Sequence, residues 1–243
     1  MILHIPHSST YIPQEYKFIK QDISDDIFRM TDWYTDELFF HRNSDRIVFD
    51  TSRLICDVER FIKDDPMEKY GMGICYQNDS SGNPMREISS DEQTEIIEKY
   101  YKPHHSKLTR SVSQTLSMFD RALIVDCHSF NDHPMPHNPY DKSRPDICIG
   151  IDDYHTPQIL VDALIDYMKT NNISYKINEP FAGTIVPNRY HRNNKSVWSV
   201  MIEVNKRLYM DGTDKSDNFD NCCNLVRNLL NVVNTVDKDY EDI

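Results

Sequence analysis

Four short runs of this chain share one pattern, an apolar β-prone stretch that stops abruptly at ionisable or metal-binding side chains. They are Ile2-Leu3-His4-Ile5-Pro6-His7-Ser8, Ile47-Val48-Phe49-Asp50-Thr51-Ser52-Arg53, Leu123-Ile124-Val125-Asp126-Cys127-His128-Ser129 and Trp198-Ser199-Val200-Met201-Ile202-Glu203. A continuous apolar run, with no alternation, is the mark of a strand covered on both faces. Further short strands are expected over 145–151 and 174–177, so that six or seven strands form the sheet.

Apolar residues three and four apart predict helices between the strands. One covers 25–42, with Asp32 and Asp36 on one face. A second covers 91–118, with Ser90 and Gln93 as a capping box and Pro103 kinking or interrupting it. A third covers 156–170, opened by Thr156-Pro157, and a fourth closes the chain over 218–236. Residues 63–84 and 180–192 read as loops, and 131–144, rich in Pro, His and Asn, reads as a lid or pocket loop. Strands alternating with helices predict a single α/β domain over 1–243, a three-layer sandwich with a largely parallel or mixed central sheet. In such sheets ligands sit at the carboxyl ends of the strands, where these four runs deliver their His, Arg and Glu side chains.

Composition narrows the function classes. The net charge of −12 argues against a nucleic-acid or anionic-membrane surface as partner. The chain lacks a signal-peptide pattern or a transmembrane-length apolar run, and its six scattered cysteines form no CxxC pair, so a cytoplasmic location with reduced thiols is expected. The 14 Tyr and 10 Phe supply large core side chains despite a hydrophobic fraction of 39%.

Zinc hydrolases hold the ion with imidazole and carboxylate ligands and leave a position open for water, whose acidity the ion increases. His7 and His128 are the natural imidazole pair, an Asp or Glu would complete the set, and Glu203 at the same edge could carry the proton. Two other classes compete. A thiol hydrolase would need Cys127 and His128 to pair, although neighbours on a strand point to opposite faces. A binding protein that keeps the fold without turnover is the other.

The order of the motifs adds to this. Pro6-His7-Ser8-Ser9, Thr31-Asp32-Trp33-Tyr34-Thr35-Asp36-Glu37-Leu38, Ser52-Arg53 through Asp57-Val58-Glu59-Arg60, Tyr101-Lys102-Pro103-His104-His105, Asp126-Cys127-His128-Ser129 and Ile202-Glu203-Val204 with Tyr209-Met210 resemble the N-formylglutamate amidohydrolase family over most of the chain. That family is similar to the zinc carboxypeptidases, which implies their phosphorylase/hydrolase-like sandwich and Zn2+ or another divalent metal. The resemblance makes His7, His128 and Asp32, or else Asp36, the metal ligands and Glu203 the general base and acid. Arg60 would hold a substrate carboxylate or polarise the scissile carbonyl, with Arg53, Arg189 and His191 supplying further positive potential. The implied substrate is an N-acylated (N-formyl) amino acid such as N-formylglutamate, or a different amide or small peptide. Where the family pattern has Asn before this Arg, the chain has Glu59.

Overall fold

A computed structural model of the chain describes residues 1–134 and 144–239. Its centre is a six-stranded sheet in the order β2-β1-β3-β6-β4-β5, built from β1 (Ile2–Ile5), β2 (Asp45–Val48), β3 (Ala122–Phe130), β4 (Ile147–Gly150), β5 (Tyr175–Ile177) and β6 (Val197–Asn205). The first three and β6 run parallel, while β4 pairs antiparallel with β6 and parallel with β5, so the sheet is mixed. A short hairpin, β7 (Met210–Asp211) and β8 (Asp214–Lys215), stands apart from it.

Every residue of β3 and β6 is buried, which explains why Leu123-Ile124-Val125 and Val200-Met201-Ile202 run without polar alternation. Leu123, Val125, Val200 and Ile202 join one apolar cluster with Leu160 and Leu164 of α5 (Gln158–Thr170) and Leu229 and Val233 of α6 (Phe219–Asp239). On the other face Ala122, Ile124 and Val197 meet Leu108 and Val112 of α4 (Lys102–Phe119). The helices thus form two layers around the sheet. Leu229→Ala, which empties a wholly buried position of α6, should cost about 2–5 kcal/mol of stability, read as a lower urea midpoint at unchanged slope.

The helix expected over 25–42 is broken in two, as α1 (Ser24–Met30) and α2 (Thr35–Leu38). Thr31 is extended and Tyr34 is left-handed at φ 60°, so Asp32 and Asp36 share no helix face. The cause is tertiary. Asp32 N–H donates to His7 O at 2.9 Å, and Thr35 Oγ1 donates to Asp32 O at 2.8 Å.

Smaller corrections follow the same logic. Ser89, in place of Ser90, caps α3 (Ser90–Ile96) by accepting from Glu92 N–H at 3.2 Å. Thr156 Oγ1 donates to Ser199 O at 2.6 Å, and Pro157 is the cap residue of α5. Pro103 sits in the first turn of α4, directly after a π-helical turn at Ile97–Tyr101, the interruption its missing N–H imposes.

Beyond β2 the chain makes a long excursion that carries its own apolar clusters, one of them holding Ile55, Val58, Ile74 and Ile96. Residues 63–84 are irregular but tethered, with isolated bridges Met72↔Tyr76 and Asn78↔Pro84. At Gly150 a Cβ would stand 2.2 Å from Gly183 O, so only glycine lets the 178–183 loop lie against β4. No helix among the described residues is long and apolar enough to cross a membrane.

Candidate active site

The parallel strands β1, β3 and β6 deliver their carboxyl ends to one edge of the sheet, and the broken helix brings Asp32 to it. His7 follows β1, His128 lies near the end of β3, and Glu203 is its partner in register on β6. His7, Asp32 and His128 are buried and offer three ligand atoms within 4.8 Å of one another. Asp32 Oδ2 lies 3.0 Å from His128 Nδ1 and 3.6 Å from His7 Nδ1.

The far nitrogen of each imidazole is held by a second buried carboxylate. His7 Nε2 donates to Asp57 Oδ1 at 2.8 Å, and His128 Nε2 to Asp126 Oδ1 at 3.1 Å. Asp57 is fixed in turn by Arg53 Nη2 at 2.7 Å and the Tyr76 hydroxyl at 2.7 Å. Asp126 accepts from His4 Nδ1 at 2.8 Å and from Ile185 N–H at 3.1 Å. Such outer carboxylates set the tautomer and orientation of metal-binding imidazoles.

The buried carboxylates and imidazoles act strongly on one another. Burial alone would raise Asp32, but the imidazoles of His128 and His7 outweigh it and hold the carboxyl well below its usual range. Burial would likewise lower His128, yet Asp126, Glu59 and Asp32 hold it above the ordinary imidazole range. Burial pushes Glu203 up to about 8, against the pull of His128.

The residues fit a divalent cation. His7 Nδ1 is a buried nitrogen with no hydrogen-bond partner, it faces the carboxylate that His128 Nδ1 also faces, and two imidazoles with one carboxylate are a hydrolytic zinc donor set. A second group, His4, Glu59 and Asp126, also lies close together. Its nitrogen is already committed to Asp126, and His4 Nε2 lies 2.8 Å from His104 Nε2, so it reads as support for His128.

Comparisons with known proteins identify the family. A family model described as N-formylglutamate amidohydrolase matches residues 1–210. The chain belongs to the N-formylglutamate amidohydrolase family. A Pseudomonas putida protein named N-formylglutamate deformylase is 25% identical over 194 residues, 76% of this chain and 72% of that protein. The crystal structure of an N-formylglutamate amidohydrolase from Ralstonia eutropha superposes with a TM-score of 0.80 at 19% identity, covering 100% of this chain and 94% of that one. An Agrobacterium tumefaciens gene product has the same fold, with a TM-score of 0.69 at 18% identity over 97% of this chain and 91% of its own.

In this family member a cavity of about 400 Å³ opens onto the site, and His7, Asp32, His128, Arg53, Arg60 and Glu203 all line it. Asp36, the second choice of acid, is exposed on α2. Glu59 does not neutralise Arg60. Its carboxylate turns to His4 Nδ1 at 3.3 Å and His128 Nε2 at 3.5 Å, while Arg60 lies 3.5 Å from Asp57 and donates to Met72 O at 3.2 Å.

Arg189 and His191 are not brought to this cavity. Arg189 lines a groove beside α4 with Lys102 and Arg110, and His191 stacks on His155, 5.9 Å between centroids. The physical reason is direction. The 180–196 segment must enter β6 at its amino end, and by residue 189 it has left Phe181 and Ala182 at the site to lie along α4, where the Tyr190 hydroxyl meets Ser113 Oγ at 2.7 Å.

Cys127 points into the helix-covered core away from His128, and burial pushes its thiol well above the ordinary range, which removes the thiol reading. The expected lid over 131–144 is described only at 131–134 and 144, and residues 135–143 lie outside the described residues. Lys206, Asn131 and Tyr76 also line the cavity and were not singled out from the sequence. For Lys206 the signal was present, since it directly follows the strand that carries Glu203.

Proposed function

We propose that this chain is a metal-dependent amidohydrolase that removes the acyl group from an N-formyl amino acid, with N-formyl-L-glutamate as the first substrate to test. The observation that carries the reading is the convergence of His7, Asp32 and His128 beside Glu203 in one cavity. Membership of the N-formylglutamate amidohydrolase family and the name of the Pseudomonas putida relative support the choice of substrate.

His7 Nδ1, Asp32 Oδ2 and His128 Nδ1 would hold the ion. When bound, a divalent ion supplies Lewis acidity, polarising the amide carbonyl and acidifying water. Glu203 takes the proton of the attacking water and hands it to the amide nitrogen as the C–N bond breaks. A carboxyl shifted upward by burial suits both halves of that task near neutral pH. Arg53 and Arg60, held by Asp57, present guanidinium N–H groups suited to a substrate carboxylate.

The test is direct. Purified protein should contain about one divalent ion per chain and release formate from N-formyl-L-glutamate. Dialysis against a chelator should abolish the release, and zinc should restore it. Metal-loaded protein that releases nothing from N-formyl amino acids would overturn the substrate assignment, and full turnover after metal removal would overturn the metal.

A further inference from the structure

Besides Arg53 and Arg60 the cavity is lined by three cations that the hydrolysis above does not use, Arg29, Arg144 and Lys206, and of these three only Lys206 is buried. Lys206 opens the short 3-10 turn Lys206–Leu208 after β6, where the Asn205 side chain accepts from Arg207 N–H at 3.1 Å. Its side chain is turned inward, only 6% exposed, and lines the cavity with His7, His128 and Glu203. The ammonium donates to Asn131 Oδ1 at 2.9 Å, and Asn131 Nδ2 is itself anchored on Arg29 O at 2.8 Å.

An ammonium has three donors, and burying it without a counter-charge is costly. Among the described residues Lys206 is in an ion pair with no carboxylate; Asp32 and Glu203 act on it only at longer range. The neighbouring cations are differently placed, because Arg53 and Arg60 share the buried Asp57 at 2.7 Å and 3.5 Å. Two guanidinium groups and one carboxylate leave a single positive charge there, enough for one substrate carboxylate. A second would find its counter-ion at Lys206. Burial holds the free ammonium down to about 8, and an arriving carboxylate would favour the charged form.

We propose that Lys206 Nζ is the specificity-determining partner of the side-chain carboxylate of an acidic N-acyl amino acid. The inference rests on the deacylation reading for the class of ligand, and it separates acidic substrates from their neutral amides. A lysine that merely tied down Asn131 would confer no such preference.

The experiment compares wild-type protein with Lys206→Met, and with Lys206→Gln, which can keep the bond to Asn131 without the charge and serves if the Met variant does not fold. Calorimetric titration with L-glutamate and L-glutamine needs no turnover. L-glutamate affinity should fall on the order of 10- to 100-fold in the variants, while L-glutamine affinity moves by less than about threefold. The kcat/KM ratio for N-formyl-L-glutamate over N-formyl-L-glutamine should fall by a similar factor. Equal binding of the two amino acids by wild type, or wild-type selectivity retained in both variants, would overturn the proposal. A wild type that deformylates neither substrate yet binds glutamate through Lys206 would overturn the proposed activity and leave this assignment standing.

Discussion

Glu203→Gln should reduce kcat for deformylation on the order of 10³-fold while leaving the metal content at the wild-type level. Glutamine matches the size of the side chain but cannot carry a proton. Glu203 lies opposite His128 in the β3–β6 register, it is 6% exposed, and its Oε2 has no hydrogen-bond partner. Burying a carboxylate is expensive and burying an amide is cheaper, so the thermal midpoint should hold or rise. Formate release under steady-state conditions and metal analysis of the same preparation decide the matter. A variant that keeps kcat within about tenfold of wild type would show that Glu203 carries no proton and that its raised pKa reflects burial alone.

That carboxylate was legible in the sequence for a local reason. An apolar run ending in a charge is read without knowing the rest of the fold, and the same reading located His7 and His128. Their meeting at one edge follows from the parallel pairing of β1, β3 and β6. Asp32 was a candidate on two grounds, the family motif and an expected helix face shared with Asp36, and only the second fails. Helical periodicity put it on a face with Asp36, because the pattern of Ile27, Met30, Tyr34 and Leu38 carries no record of the bond between Asp32 N–H and His7 O that breaks the helix. The break matters for function, since it buries Asp32 at the site and leaves Asp36 in solvent. Arg189 and His191 were misplaced for a similar reason, as the course of a loop between two strands is set by the edge at which it must arrive. Glu59 could be flagged as unusual, but its turn towards His4 and His128 is a tertiary fact.

His128→Ala should lose the bound metal altogether and bring deformylation to background. The imidazole is one of three ligands, and two remaining donors, His7 and Asp32, cannot close a stable site. Folding should also suffer. Asp32, Asp126 and Glu59 all face this ring, and removing the ring, and with it the ion it would hold, would strand these carboxylates at a cost of about 3–5 kcal/mol. Loss of metal must therefore be separated from loss of structure, and Asp126→Asn does so. It keeps all three ligands and an acceptor for His128 Nε2, and changes only the charge behind the ring. Metal affinity should then weaken by about 10- to 100-fold, measured by competition with a chromogenic chelator, with activity returning as zinc is raised. If His128→Ala, shown folded by circular dichroism, still held a stoichiometric ion, the ligands would lie elsewhere, and the group of His4, Glu59 and Asp126 would be the place to look.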